Sequence, residues 1–367
     1  MNYSLSLDPA LSVRVQIERF LRQKIESGKL PPGERLPATD QLVKQWRVDR
    51  TAVQKALARL TTEGLLVRRT KQGTFVRSKS ERALIGVLLE ASISRESAYF
   101  LRALYDQICR QVFAVGKGWL TCRLYDALLE GNAEERKGRQ QIARNDIRNY
   151  PFRGIITALG AGLHAYDFTG LEQLPMAHMG AVPGKQRFDL FMDVASWARE
   201  SMEYFFDRGI KKMAYITFAS GREWDIKAIE DTTKRLHLPP VEIVTIFRSE
   251  DEFIEEAAQK HILRCISKWR TKSSFPEALI VADDIAMRGI AFALLAERIK
   301  VPQRLRVLTV ANAGIRHYYG FPVARYEFSP ALVAEKLVEL LWKRMHKEAM
   351  PDLPVKIRGR IIPALTQ

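Results

Sequence analysis

The chain has 367 residues, of which 47% are hydrophobic and 27% charged, values typical of a globular protein with one to three domains. The longest apolar run, Ala83 to Leu89, is too short to cross a membrane, and the first residues lack the basic-then-apolar order of a signal peptide. The three cysteines, Cys109, Cys122 and Cys265, form no CxxC pair. We therefore expect a reducing, bacterial-type cytoplasm and no structural metal.

Positive charge is concentrated near the N-terminus. The net charge is +16, and residues 1–78 hold 15 basic and 7 acidic side chains, against 43 and 35 in the much longer remainder. A basic surface attracts phosphates and binds nucleic acid in a salt-dependent way, although charge also serves solubility alone.

The first 78 residues follow the pattern of three helices and a hairpin. Apolar residues at 3.6-residue spacing predict a helix over Val13 to Ser27, which Leu30 to Pro37 then breaks with three prolines and a glycine. A second helix is predicted over Ala38 to Trp46. The later runs LLVRRT and TFVRS alternate like two strands joined by a tight turn. This is the element order of a winged helix-turn-helix domain.

The third helix, between Asp49 and Gly64, has two chemically different faces. Asp49 suits the N-cap and Gly64 suits the C-terminal stop. We expect the apolar face to pack in the core of a small domain and the basic, amide-bearing face to enter a DNA major groove. The apolar positions are Val53, Ala56, Leu57 and Leu60, and the other faces carry Arg50, Thr51, Gln54, Lys55 and Arg59.

The pattern changes after a charged linker at residues 79–82. Strand-like runs alternate with helical segments through residues 83–367, which predicts βαβ units and parallel sheets. The strands are too many for one sheet, so we expect an α/β, doubly wound domain with two lobes and a cleft, which binds the effector and dimerises. The predicted helices include 95–115, 189–208, 225–236, 250–270 and 285–298.

Residues Gly33 to Val76 resemble the GntR family of bacterial transcription regulators. The segment GERLPATDQLVKQWRVDRTAVQKALARLTTEGLLVRRTKQGTFV follows the family pattern nearly without gaps, from LP before the second helix to GTFV in the wing. The resemblance implies sequence-specific binding to a double-stranded DNA operator. The residues expected at the DNA are Arg50, Thr51, Gln54, Lys55, Arg68, Arg69, Lys71 and Gly73.

The chemistry of these residues suits DNA, but two positions depart from the family pattern. Arg50 suits a bidentate grip on guanine or a phosphate, Thr51 can donate to a phosphate, and Gln54 can pair with adenine. Many family members carry arginine in place of Asp40 and of Gln54, so we do not expect the usual family operator. Asp40 cannot hold a phosphate; it either caps the second helix or orients a neighbouring arginine.

Residues Ala83 to Gln367 resemble the LacI/GalR sensor domain, which is built like a periplasmic sugar-binding protein. The segment FPEALIVADDIAMRGIAFALLAERIKVPQRLRVLTVANA, Phe275 to Ala313, follows the family pattern most closely. The combination resembles the arabinose-repressor type of regulator in bacilli, although the family's usual hinge helix is not evident. This resemblance implies a homodimer whose DNA binding is controlled by a small-molecule effector, for example a sugar.

Ligands of doubly wound folds bind at the C-terminal ends of the strands, so the candidate effector residues are those that follow strands. Carboxylates and amides suit the hydroxyls of a sugar, and a flat aromatic side chain suits its C–H face. Asp283 stands where many family members have asparagine, and Asn312 replaces an aspartate, so the identity of the ligand stays open. The candidates are Ser94, Tyr99, Phe100, Gly160, Trp224, Asp225, Lys227, Asp283 and Asn312.

The sequence favours neither a cofactor nor catalysis. Gly160 to Ala165 fits a dinucleotide-binding loop, but no acidic residue follows where a ribose contact would need one. The histidine spacing predicts no metal site, and the G-x-S-x-G motif of hydrolases is absent. We therefore predict no cofactor, no membrane partner and no enzyme activity.

Three hypotheses follow. The first is a DNA-binding regulator, with a repressor favoured, controlled by a small molecule in the cleft. The second is an enzyme on the doubly wound part that is tethered to DNA, and turnover by that part would favour it. The third is a DNA-binding regulator without a cleft ligand, which an absence of stabilisation by any sugar would favour.

Overall fold

The computed structural model describes most of the chain. The described residues are 5, 8, 11–69, 72–77, 83–95, 98–116, 118–159, 166–180, 189–218, 223–249, 252–272 and 274–364, except the side chains of residues 223 and 224. The chain divides into two compact units. The first comprises Met1–Ser92, Tyr105–Met179 and Ala334–Leu353, and the second comprises Ile93–Leu104, Gly180–Val333 and Pro354–Gln367.

The first unit begins with the three helices and the hairpin predicted from the sequence. These elements are α1 (Val13–Glu26), α2 (Thr39–Trp46), α3 (Arg50–Thr62), β1 (Leu66–Arg69) and β2 (Gly73–Val76). The two strands pair antiparallel, which makes the wing. We call residues 11–77 the head. The linker predicted at residues 79–82 lies outside the described residues.

The head has its own apolar core, and one tryptophan from later in the chain completes it. Side chains from the helices and the hairpin, including Trp46, Leu57 and Val76, are buried together. Trp119 is only 9% exposed and belongs to the same core. Gly64 has φ +81°, and a Cβ there would lie 3.4 Å from the carbonyl oxygen of Trp119. Glycine therefore ends α3 and allows this close approach.

Four parallel strands form a sheet in the first unit. They are β3 (Ala83–Leu89), β4 (Leu120–Tyr125), β5 (Phe152–Ala158) and β6 (Met176–Gly180), in the order β6-β5-β3-β4. Helices α4 (Tyr99–Val115) and α5 (Ala133–Asn149) each connect consecutive strands of this set along the chain. The strands β3 and β5 are buried along most of their length, as expected where helices cover both faces of a parallel sheet.

The second unit has a larger, mostly parallel sheet. The elements that follow β6 along the chain are β7 (Leu190–Met192), α6 (Val194–Phe206), β8 (Met213–Phe218), α7 (Glu223–Arg235), β9 (Glu242–Ile246), α8 (Ile254–Thr271), β10 (Ala278–Val281), α9 (Ala286–Ala296), β11 (Arg306–Asn312), β12 (Ala324–Phe328), α10 (Pro330–Met345), β13 (Val355–Ile357) and β14 (Arg360–Ile362). All of them belong to the second unit except residues 334–345 of α10, which belong to the first. Six strands lie in the order β14-β12-β11-β10-β8-β9, and only β14 runs antiparallel to its neighbour. Strands β7 and β13 pair in parallel.

The predicted class, a winged head followed by parallel α/β structure, is the observed one, but several element boundaries were wrong. The helix predicted over 189–208 begins only at Val194, because Leu190–Met192 is a short strand and Asp193 caps the helix by accepting the Ser196 N–H at 3.1 Å. Helix α5 was not predicted, because its sequence is strongly polar. Within the described residues, no helix is long and apolar enough to span a membrane.

Candidate nucleic-acid interface and effector site

The two faces of α3 are separated as their chemistry predicts. Val53, Ala56, Leu57 and Leu60 are at most 1% exposed, so the apolar stripe is fully used by the core of the head. The opposite side chains, which we call the recognition face, are all exposed: Arg50, Thr51, Gln54 and Lys55. Because the core holds the stripe, it also fixes the direction in which the recognition face points.

The start of α3 is a well-capped helix N-terminus. The Asp49 carboxylate accepts the Ala52 N–H at 3.1 Å, and this hydrogen bond lowers the pKa of Asp49 below its ordinary value. Arg50 and Thr51 follow immediately. Unpaired N–H groups and the positive end of the helix dipole attract anions, so this end of α3 suits contact with DNA phosphates or base edges.

Arg50 has an acidic neighbour on α2. Its Nη1 lies 3.0 Å from Oδ1 of Asp40, and both side chains are largely exposed, 61% and 66% respectively. The backbone N–H at the N-cap of α2, Ala38, is bound by the side chain of Gln41 at 3.0 Å. Of the two roles predicted for Asp40, the observed contact is the orientation of a neighbouring arginine.

The wing presents two of its predicted basic residues to solvent. Arg68 and Arg69 are exposed on β1, and the Arg69 guanidinium lies 4.7 Å from the centre of the Phe75 ring. Gly73 has φ +114°, and a Cβ there would meet Arg35 Nε at 3.1 Å. Sequence reasoning missed Arg35, because only folding brings it beside the wing. Lys71 lies outside the described residues.

In the second unit, three of the predicted effector residues lie in or beside one polar cluster. The Asp284 carboxylate, in a residue only 8% exposed, accepts a hydrogen bond from Asn312 Nδ2 at 3.0 Å. The Nε2 atom of His317 lies 3.4 Å from the same carboxylate oxygen, and the His317 ring meets the Tyr99 ring edge-on at 4.9 Å between centres. The Tyr319 hydroxyl donates to the Asp284 carbonyl at 3.4 Å.

Arg288 extends this cluster along α9. Its Nη1 donates to the Tyr99 hydroxyl at 3.2 Å and lies 3.2 Å from Glu255 on α8. Burial raises the pKa of Tyr319 far above its ordinary value, and the negative charge of Asp284 adds to the effect, so this phenol stays protonated. We call Tyr99, Asp284, Arg288, Asn312, His317 and Tyr319 the Asp284 cluster. It offers hydrogen-bond donors, acceptors and aromatic surface within a small space.

Asp283, the carboxylate selected from the sequence, has a helix-capping contact in the structure. Its Oδ1 accepts the N–H groups of Ile285 at 3.0 Å and Ala286 at 2.7 Å, at the start of α9. The adjacent Asp284 is the one that contacts Asn312 and His317. Asp283 was selected from the sequence because it follows a predicted strand, whereas the direction of each side chain is decided by the turn between β10 and α9.

The remaining predicted effector residues are dispersed. Asp225 is 3% exposed and accepts a hydrogen bond from the Tyr215 hydroxyl at 2.9 Å. Lys227 lines a groove of about 350 Å³ between α6 and α7 with Arg199 and Arg235, rather than the Asp284 cluster. Ser94 is exposed in the turn before α4, and Phe100 is half-buried in the first turn of that helix. Gly160 and the side chain of Trp224 lie outside the described residues.

The first unit has a smaller polar cluster after its strands, which sequence reasoning missed. The Ser92 hydroxyl donates to Asp126 at 3.1 Å, and the Ser92 N–H donates to Glu130 at 3.1 Å. Glu90 lies two residues before Ser92, and burial raises its pKa above the ordinary value. Glu90 and Asp126 each directly follow a strand, which is the signal that would have found them. In the described part of the chain, no group of three His, Cys, Asp or Glu residues is arranged to hold a metal ion.

Two family models match the chain. One, for bacterial regulatory proteins of the gntR family, matches residues 14–76, and the other, a periplasmic binding protein-like domain, matches residues 202–363.

The chain is 38% identical to the histidine utilization repressor of Pseudomonas aeruginosa over 73 residues, or 20% of this chain and 29% of that repressor. It is 37% identical to the transcriptional repressor NagR of Bacillus subtilis over 78 residues, or 21% and 32% of the two chains. The chain therefore spans less than a third of the length of either relative.

Solved structures match about three quarters of the chain. A LacI family transcriptional regulator from Arthrobacter sp. FB24 has a TM-score of 0.60 and 15% identity, over 77% of this chain and 98% of that one. A LacI family regulator from Lactobacillus casei with bound sucrose has a TM-score of 0.57 and 18% identity, over 77% and 99%. The predicted resemblances to a GntR-type helix-turn-helix domain and to a LacI-type domain are confirmed: residues 14–76 match the gntR family model, residues 202–363 match the periplasmic binding protein-like model, and the fold is that of LacI family regulators.

Proposed function

We propose that this protein is a sequence-specific DNA-binding transcription regulator, and that it acts as a repressor. The observation that carries the proposal is the exposed recognition face of α3, which the buried apolar stripe holds in place beside a capped helix N-terminus. In helix-turn-helix proteins this end of the recognition helix contacts base edges. Arg50, Thr51, Gln54 and Lys55 would make these contacts, and Arg68, Arg69, Lys71 and Gly73 would bring the wing to the backbone.

A small molecule bound by the effector domain would control this activity. The Asp284 cluster supports a ligand with several hydroxyl groups, because its carboxylate, amide, imidazole and phenol groups can pair with both the hydrogen and the oxygen of a hydroxyl. The bound sucrose of the Lactobacillus casei regulator makes a sugar the first class to test. The ligand would act by binding one arrangement of the domain better than another.

We further propose that the regulator works as a homodimer in the cytoplasm. The second unit exposes three large apolar or aromatic side chains along one groove of about 480 Å³: Phe292 (62% exposed), Leu295 (50%) and Tyr318 (95%). A second copy would cover such a surface and place two heads on the two halves of a pseudo-palindromic operator. We assign the protein no catalytic activity.

The proposal is tested by selecting duplexes from a random library with the full chain and then measuring affinity at fixed salt. Arg50→Ala should weaken binding to the selected duplex by about 1–3 kcal/mol, because a bidentate or charge-assisted contact is lost. Arg19→Ala removes the same charge from an exposed position on α1 and serves as the matched control. Recovery of no preferred duplex would overturn the proposal, and equal effects of the two substitutions would remove Arg50 from the interface.

A further inference from the structure

Asp40 is an acidic residue on the side of the head that carries the basic recognition residues. It lies in the first turn of α2, its side chain is 66% exposed, and its Oδ1 is 3.0 Å from Arg50 Nη1. If α3 enters the major groove as proposed, Asp40 comes close to the DNA with Arg50. A carboxylate there repels phosphates, so it lowers affinity for every sequence unless it contributes in another way.

The contact restricts the direction of the Arg50 guanidinium. The planar guanidinium has five N–H donors, and the contact with Asp40 engages the Nη1 end of it. Because Asp40 belongs to α2, the direction of the remaining donors then depends on the position of α2 and not on the flexible arginine side chain alone. Bidentate recognition of the O6 and N7 atoms of guanine needs such a fixed fork, whereas a phosphate can be reached from many directions.

From this geometry we infer that Asp40 is a specificity-determining positioning residue, which holds Arg50 for contact with a guanine and disfavours its contact with backbone phosphates. The inference rests on the proposed DNA-binding function. Asp40 reduces the affinity for unrelated duplexes and increases the difference in affinity between a duplex with the preferred base and one with another base at that position. Its effect therefore appears in discrimination and in salt dependence, two readouts that the stability of α2 does not move.

The experiment uses the full chain and the duplex selected by the wild-type protein, together with versions in which each G·C pair is replaced by A·T. Discrimination is the ratio of the affinities for the selected and the substituted duplex at one salt concentration. The proteins are wild type, Asp40→Asn, Arg50→Ala and the double variant. Glu26→Gln removes the same charge from an exposed position at the end of α1 and is the matched control.

We expect Asp40→Asn to lower discrimination about fivefold at the guanine that Arg50 reads, the upper end of the effect of an exposed ion pair. Binding to unrelated duplexes should tighten, and the slope of log affinity against log salt should steepen by about 0.9, as for one additional phosphate contact. The Arg50→Ala chain should show no further loss of discrimination when Asp40 is also replaced, because the two residues act as one unit. Glu26→Gln should keep the wild-type discrimination.

Three results would overturn the inference while the proposed function stands. The first is wild-type discrimination by Asp40→Asn at every guanine. The second is an equal loss of discrimination from Asp40→Asn in the wild-type and Arg50→Ala chains, which would mean that Asp40 reads a base independently. The third is wild-type discrimination by Arg50→Ala at every guanine. Selection of no duplex by the wild-type chain would overturn the proposed function and the inference together.

Discussion

The head and the Asp284 cluster place their candidate functional side chains in opposite ways. On α3 the recognition residues are exposed, lie within six positions of one another and belong to one face of one helix. In the Asp284 cluster, Tyr99, Asp284, Asn312 and His317 come from distant parts of the chain and contact one another, and Asp284 is only 8% exposed. A surface that reads DNA must extend outward to the base edges, whereas a site for a small molecule must gather groups inward.

The two sites should also differ in how substitutions affect binding and stability. An exposed recognition residue contributes little to the stability of the head, so replacing it should change binding far more than folding. A residue of the Asp284 cluster is already engaged in hydrogen bonds, so its replacement should affect both the ligand and the local structure. Variants of each kind therefore test whether the two sites differ in this way.

The largest effect is expected at Trp119, which lies outside the head in the sequence but is buried in the core of the head. Trp119→Ala should lower the free energy of unfolding by about 3–5 kcal/mol, because a large side chain is removed from a packed core. Chemical denaturation followed by far-UV circular dichroism measures this. Trp119→Phe keeps an aromatic ring and should lose much less. An unchanged unfolding midpoint in Trp119→Ala would mean that the head folds independently of the tryptophan.

The second effect concerns Asp284. Asp284→Asn should weaken binding of the effector by about 1.5–3 kcal/mol, the cost of losing a hydrogen bond to a charged group. Thermal shifts against a panel of mono- and disaccharides, followed by calorimetry on any that stabilise the wild type, measure this. Asp231→Asn, at an exposed position on α7, is the control. Equal affinities of the two variants would place the ligand elsewhere, and no wild-type shift with any member would count against a sugar.

A smaller effect is expected at Gln54, one turn after Arg50 on the recognition face. Gln54→Ala should reduce discrimination at one base position by about 1 kcal/mol, because an amide that pairs with adenine is lost. Its affinity for unrelated duplexes should stay close to that of the wild type, since no charge changes. Repeating the duplex selection with the variant measures this. A base profile identical to that of the wild type would remove Gln54 from base recognition.

The smallest effect is expected in the reactivity of two cysteines of the first unit. Cys109 on α4 and Cys122 on β4 are in hydrogen-bond contact, which lowers the pKa of Cys109 to about 7 and raises that of Cys122. Cys109 is deprotonated above this value, so its rate of alkylation by iodoacetamide should rise through about pH 7 and then level off. Burial raises the pKa of Cys265, whose rate should still be rising above pH 9. Mass spectrometry of each peptide measures the rates, and one common profile for both cysteines would contradict the contact.

Much of the head could be predicted because its information is local. Val53, Ala56, Leu57 and Leu60 recur at helical spacing, and the same spacing decides that Arg50 and Gln54 face outward. The candidate effector residues were harder to predict, because position after a strand says only which end of a sheet a residue occupies. That rule selected Tyr99 and Asn312, which belong to the Asp284 cluster, but also Lys227, which faces a groove on α6 and α7.

The order of most elements, the exposed face of α3 and the parallel α/β character of the rest could be read from the amino-acid pattern, because these features depend on residues a few positions apart. Three other features became visible only in the folded chain: Asp284 rather than Asp283 contacts Asn312, His317 and Arg288 belong to the same cluster, and Trp119 completes the core of the head. These outcomes depend on which distant segments are buried against each other, and no local pattern records that.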